Sequence, residues 1–137
     1  MSLPDFVKGN HVTLLHSGTE YFPVLESAIN QARQEIHLET YIFQYDATGN
    51  RIAEALKRAA QRGVAVHLLI DGFGSFSLSR KVIQEMLAAG VQVLIYRPEF
   101  FPFRFKRSRL RRMHRKLAVM DASVAFVGGI NIIDDRH

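Results

Sequence analysis

Residues 35–70 read EIHLETYIFQYDATGNRIAEALKRAAQRGVAVHLLI, and their periodicity changes twice. The opening part, Glu35 to Tyr45, is rich in β-branched and aromatic residues and predicts a strand. Thr48 to Gln61 then sets Ile52, Ala53, Leu56 and Ala60 at the 3–4 spacing of an amphipathic helix, with Gly63 where a C-terminal cap belongs. Val64 to Ile70 is a near-continuous apolar run, the pattern of a strand covered on both faces. Strand, helix and strand in this order predict a right-handed crossover and parallel pairing.

Outward from this unit the alternation continues. Upstream, His11 to His16 alternates enough for an edge strand. Glu20 to Gln34 repeats the helical spacing through Tyr21, Val24, Leu25, Ala28, Ile29 and Ala32, with Thr19 in the N-cap position. Downstream, Asp71-Gly72-Phe73-Gly74-Ser75 breaks the apolar run and reads as a turn whose glycines permit close approach to a phosphate. It lacks the glycine patterns of nucleotide-binding loops. Ser79 to Ala89 predicts a helix stopped by Gly90, and Val91 to Tyr96 a strand. Beyond a basic stretch come two more strand-like runs, Arg115 to Met120 and Val124 to Val127, separated by Asp121-Ala122-Ser123, short enough for a hairpin. The expected fold is α/β, a mixed, mostly parallel sheet flanked by helices. Residues 1–137 contain no internal repeat and no Gly/Ser linker, so one domain is expected. It stops soon after Gly128-Gly129 with no closing element, as though truncated at the C-terminus.

The 137 residues are 47% hydrophobic and 23% charged, the composition of one ordinary globular domain. A chain of this size removes roughly two-thirds of its unfolded surface from water and folds without staples. Absence of Cys excludes disulfides and zinc-thiolate sites. No apolar run approaches the roughly 20 residues of a spanning helix, and the N-terminus lacks a basic-then-apolar signal pattern.

The net charge of +5 has an address. Arg97, Arg104, Lys106, Arg107, Arg109, Arg111, Arg112, Arg115 and Lys116 face a single acid, Glu99, in the same stretch, and the rest of the chain is net acidic. Such a stripe attracts anions: nucleic-acid backbone, an anionic lipid surface or a phosphorylated substrate. Phe100, Phe101, Phe103 and Phe105 lie inside it, with Pro98 and Pro102 breaking regular structure. Rings packed onto the domain, rings dipped into a bilayer interface beside Arg104, Arg107 and Arg111, and a base-stacking surface all fit this composition.

His114, Lys116, Asp121, Gly128, Gly129 and Asn131 stand out together. Side chains two apart on a strand share a face, so His114 and Lys116 are expected to point the same way. An imidazole can attack phosphorus or pass a proton near neutral pH, and an ammonium holds non-bridging oxygens. Two glycines allow the backbone near a ligand, and Asn131 adds an amide donor. Singly, each residue also reads as an ordinary surface or turn position. As a set they are the parts of a phosphoryl-transfer site that needs no metal or cofactor. Glu39 is a further carboxylate that could reach such a pocket from a strand end.

The spacing His114-x-Lys116-x4-Asp121-x6-Gly128-Gly129-x-Asn131 resembles the HxKx4Dx6GG signature of the phospholipase D superfamily. LETYIF at 38–43, RGV at 62–64, LLIDGFGS at 68–75, AAGV at 88–91 and RRMHRK at 111–116 look like the N-terminal half of bacterial cardiolipin synthases. The resemblance implies that His114 forms a phosphohistidine, that Lys116 binds phosphate oxygens and that Asn131 lines the same pocket. Asp121, the motif aspartate, is expected at the hairpin end, serving structure more than chemistry. The implied activity is phosphatidyl transfer on anionic phospholipid, peripheral on the bacterial cytoplasmic membrane, with no nucleic acid expected. One departure matters: the family uses two such motifs, one His as nucleophile and one as acid, and this chain carries one. The second would come from elsewhere in a longer chain or from a homodimer partner. The competing readings are a dimeric phosphodiesterase acting on nucleic acid and a non-catalytic anion-binding fragment.

Overall fold

The computed structural model describes residues 6–98 and 111–134. In chain order these form α1 (Gly18–Gln31), β1 (Glu35–Thr40), α2 (Ala47–Gln61), β2 (Ala65–Asp71), α3 (Arg80–Ala88), β3 (Gln92–Tyr96), β4 (Leu117–Met120) and β5 (Val124–Val127). The strands make one sheet in the order β3-β2-β1-β4-β5. β1 runs parallel to β2, and β2 to β3, through the two helical crossovers. β4 pairs antiparallel with β1, and β5 antiparallel with β4. The expected mixed sheet flanked by helices is the fold observed, with the parallel pairing confined to β1, β2 and β3.

Alternation along the strands sorts the two faces. Ile36, Leu38, Val66, Leu68, Ile70, Ala118 and Met120 are buried in one cluster with Leu25 and Ile29 of α1, Ile52 and Leu56 of α2, and Val82 and Met86 of α3. His37, Glu39, His67, Leu69 and Leu94 alternate with them and face away from that cluster. Among the described residues no helix covers this second face, and Leu94 is 66% exposed. Among the described residues, the 64–70 strand is covered on one face, where both faces were expected to be covered.

Local chemistry explains the boundaries. α2 starts after Asp46, whose carboxylate accepts from Gly49 N at 2.8 Å, and Gly63 follows the helix with φ +91. α3 starts after Ser79, whose hydroxyl accepts from Val82 N. α1 begins at Gly18, with Ser17 rather than Thr19 in the N-cap position. Burial of Tyr21, edge-on to Phe126, pushes its phenol up to about 12. The His11 to His16 stretch is not a strand: among the described residues it pairs with no other segment, and Val12 and Leu14 are 89% and 75% exposed. β4 begins at Leu117, two residues later than expected, where its ladder with β1 ends at the pair Glu39 and Leu117; ahead of it, Arg112 and Met113 lie against Asp71 at the end of β2. In the β4–β5 turn, closed by Ser123 N donating to Met120 O at 3.0 Å, Asp121 and Ala122 both have positive φ. That is the backbone hand favoured between twisted antiparallel strands.

Candidate functional site

The site is built where β1 and β2 end. Asp71, the last residue of β2, is fully buried. Its Oδ1 accepts from Phe73 N at 2.9 Å and Gly74 N at 3.0 Å, closing the turn. Its Oδ2 accepts from Met113 N at 3.0 Å, which fixes the segment leading into β4. Arg112 Nη1 lies 3.9 Å from the same carboxylate. Ser75 Oγ donates to Tyr41 O at 3.0 Å and accepts from Phe43 N at 2.9 Å, so the same turn also fixes the chain just beyond β1.

His114 is placed on this frame. Its exposed imidazole leans on the Tyr41 ring, with centroids 4.8 Å apart. Lys116 Nζ lies 3.2 Å from His114 Nδ1, 3.4 Å from Nε2 and 3.0 Å from the His114 carbonyl oxygen, and 5.5 Å from the Tyr41 ring centroid. The two side chains do meet, although they precede the strand that was expected to align them. Partial burial lowers the Lys116 ammonium from its ordinary value. An imidazole open to solvent beside a fixed positive charge can accept a phosphodiester, its phosphorus toward the ring and its oxygens toward the ammonium.

Asn131 joins the same end of the sheet. Its Oδ1 accepts from Ile42 N at 3.0 Å, and residues 42–44 and 132 bond to one another beside it. That bond occupies the amide oxygen, so the amide nitrogen is what Asn131 has to offer a ligand. Gly128 and Gly129 are exposed, and a Cβ on either would meet nothing within 4 Å. Gly128 N donates to Lys116 O at 3.3 Å, which puts the pair beside the lysine.

Two expected members are elsewhere. Asp121 does not stand with His114 and Lys116: its carboxylate accepts from Arg33 N, Gln34 N and Glu35 N at 2.8–3.0 Å, at the start of β1, whereas His114 lies beyond its end. The bonds from Glu35, Arg33 and Gln34 hold its carboxyl below the usual carboxylate range. These bonds join the hairpin to the loop entering β1. Glu39 lies 2.8 Å from Arg115 Nε and lines a concavity of about 380 Å³ on the uncovered sheet face, with His37, His67, Leu69, Gln92 and Leu94. Neither His114, Lys116 nor Asn131 lines that concavity.

Phe100, Phe101, Phe103, Phe105, Arg104 and Arg107 lie outside the described residues. Arg111 is exposed, and its carbonyl accepts from Arg97 Nη1 at 3.1 Å. The pattern of residues 71–75 predicts a turn, but not that Asp71, Ser75 and Tyr41 support His114. Only an acid closing an apolar strand before Gly-x-Gly hinted at them.

Residues 25–136 match a family model described as "Cardiolipin synthase, PLD-like domain". Cardiolipin synthase B of Escherichia coli is 44% identical over 124 residues, 90% of this chain and 30% of that protein. A cardiolipin synthase of Halalkalibacterium halodurans is 40% identical over 122 residues, 89% of this chain and 24% of that protein. The chain thus spans less than a third of the curated relatives it matches. Among solved structures, the phospholipase D family member Nuc from Salmonella typhimurium superimposes with a TM-score of 0.59 at 24% identity, covering 81% of this chain and 64% of that one. NucT from Helicobacter pylori does so at 0.60 and 23%, covering 81% and 66%. Fold, motif placement and sequence match agree: the chain belongs to the cardiolipin synthase family of phospholipase D-like domains.

Proposed function

We propose that this chain supplies one of two half-sites for phosphatidyl transfer between anionic phospholipids, with His114 as the covalent anchor. The observation that carries the reading is the contact of Lys116 Nζ with an exposed His114 ring at the end of the parallel strands. In the first displacement an imidazole nitrogen attacks the phosphorus of phosphatidylglycerol. A P–N bond forms, the P–O bond to the headgroup breaks, and the departing oxygen takes a proton from an imidazole of the second half-site. In the second displacement the glycerol hydroxyl of another phosphatidylglycerol attacks the same phosphorus and gives its proton to that second imidazole. The P–N electron pair returns to His114, and cardiolipin and glycerol are the products. Lys116 holds the non-bridging oxygens through both steps, and Asn131 lines the pocket.

A peripheral place on the bacterial cytoplasmic membrane suits the same end of the molecule. Phe73 and Phe76, 54% and 80% exposed, lie on the turn after β2, and the Arg112 guanidinium sits 5.0 Å from the Phe73 ring centroid, a pairing of ring and base suited to an anionic interface. Among the described residues no helix is long and apolar enough to cross a membrane. The second half-site would come from the remainder of a longer chain or from a second copy.

A phosphatidyl diester of p-nitrophenol tests the half-site alone, because that leaving group departs without an acid. The expected result is a stoichiometric burst of p-nitrophenolate and a phosphatidyl adduct on His114 by mass spectrometry, both absent in His114→Asn. No burst and no adduct from folded protein would refute the anchor. With phosphatidylglycerol itself, a verified monomer should turn over weakly or not at all; robust turnover there contradicts the two-half arrangement. Flotation with phosphatidylglycerol vesicles against a DNA gel shift separates lipid from nucleic acid.

A further inference from the structure

Asp71 belongs to neither the motif nor the reacting groups, yet it is fully buried and touches the site from below. Closing the turn after β2 needs an acceptor for Phe73 N and Gly74 N, and Oδ1 alone meets that need. Oδ2 does something the turn does not require. It accepts the amide of Met113, 42 residues away in sequence and immediately before His114. The turn is also locked to the other wall of the site, since Ser75 Oγ donates to Tyr41 O and a Cβ on Gly74 would come within 2.3 Å of that oxygen. Tyr41 is the ring on which the His114 imidazole leans. One carboxylate thus sets the distance between the backbone that carries His114 and the turn that carries its backing ring.

We infer that Asp71 is the positioning residue of the half-site, holding His114 against Tyr41 through its bond to the Met113 amide. The inference rests on the reading of His114 as nucleophile, although the placement it describes is measurable without any reaction. A nucleophile misplaced by about 1 Å loses on the order of a hundredfold in rate. A buried carboxylate receiving three N–H groups leaves little play in the chain that it holds.

Two substitutions test this. Asp71→Asn turns one acceptor into a donor, so either the Met113 amide or the turn loses its partner. Replacing the 112–113 amide by an ester, with the Met113 side chain kept, deletes only the N–H that reaches Oδ2 and leaves the turn intact. Ser79→Ala, which removes the cap of α3 at the other end of the same loop, serves as the comparator for simple destabilisation. The ester variant is expected to keep its helical circular dichroism and to show a displaced His114 ring resonance, with a burst rate on the p-nitrophenyl diester about tenfold to a hundredfold slower at near-constant apparent KM. Ser79→Ala, measured where it is folded, should keep both the resonance and the rate. An ester variant with native resonance and native rate overturns the inference, even if Asp71→Asn fails to fold. If the wild-type chain gives no burst, the functional reading falls, and the resonance still decides whether Asp71 places His114.

Discussion

An ammonium resting on an imidazole keeps its proton only as long as water and anions make the charge worthwhile. Burial lowers Lys116, so on raising the pH its charge is lost earlier than the ordinary lysine value of about 10.4. Binding of inorganic phosphate or of a soluble diester should weaken on the alkaline side below that value. Lys116→Arg should move the loss upward or remove it; the readout is the inhibition constant against pH. Asp121 works with the opposite sign. Its folded-state value is depressed, so its support for the fold is complete above the unfolded aspartate value near 3.9 and fades as pH falls through the folded one. The urea midpoint of Asp121→Ala should lie clearly below that of the wild type at pH 6, with a narrower gap at pH 3.5. At this scale the sequence was partly legible. The spacing of His114, Lys116 and Asn131 identified residues that do gather at one end of the sheet. Asp71 and Tyr41 were not legible, because their meaning lies in partners more than forty residues away, which no local pattern reports.

The elements follow their caps and their apolar spacing, which is why α2, α3 and β5 lie within a residue or so of expectation, while segments lacking a partner do not. His11 to His16 has the alternation of a strand and, among the described residues, no pairing partner. β4 starts late because its partner β1 ends at Thr40, with Glu39 opposite Leu117. The β4–β5 turn uses Asp121 and Ala122 in the left-handed region, where Asp is tolerated and Ala is strained. Asp121 is held there by the three amides it caps, and Ala122 has no such compensation. Ala122→Gly should therefore raise stability by about 0.5–1 kcal/mol despite the greater freedom of glycine in the unfolded chain, read from the denaturant midpoint with an unchanged slope.

At the scale of the whole molecule, one end of the sheet gathers His114, Lys116 and Asn131 with exposed Phe73 and Phe76 and the bases Arg111 and Arg112. If this end meets anionic lipid, replacing Phe73 and Phe76 together by Ser should weaken flotation with phosphatidylglycerol vesicles by about tenfold or more. The burst on a short-chain, monomeric diester should be unchanged. Unchanged flotation would place the membrane contact elsewhere on the chain. The α/β class was visible from the alternating periods; which face of the sheet stays uncovered was not, since Leu69 and Leu94 are as apolar as the buried Leu68. The insertion of β4 beside β1 has a temporal consequence. β1, β2 and β3 join through crossovers between neighbours in sequence, whereas β4 reaches β1 only by closing a loop of some eighty residues, a slow and entropically costly step. Tyr41 and the turn after β2 can therefore be in place before His114 arrives, so the contact of His114 with Tyr41 should be the last feature gained in refolding and the first lost in mild urea, ahead of the helical signal, read from the His114 ring resonance.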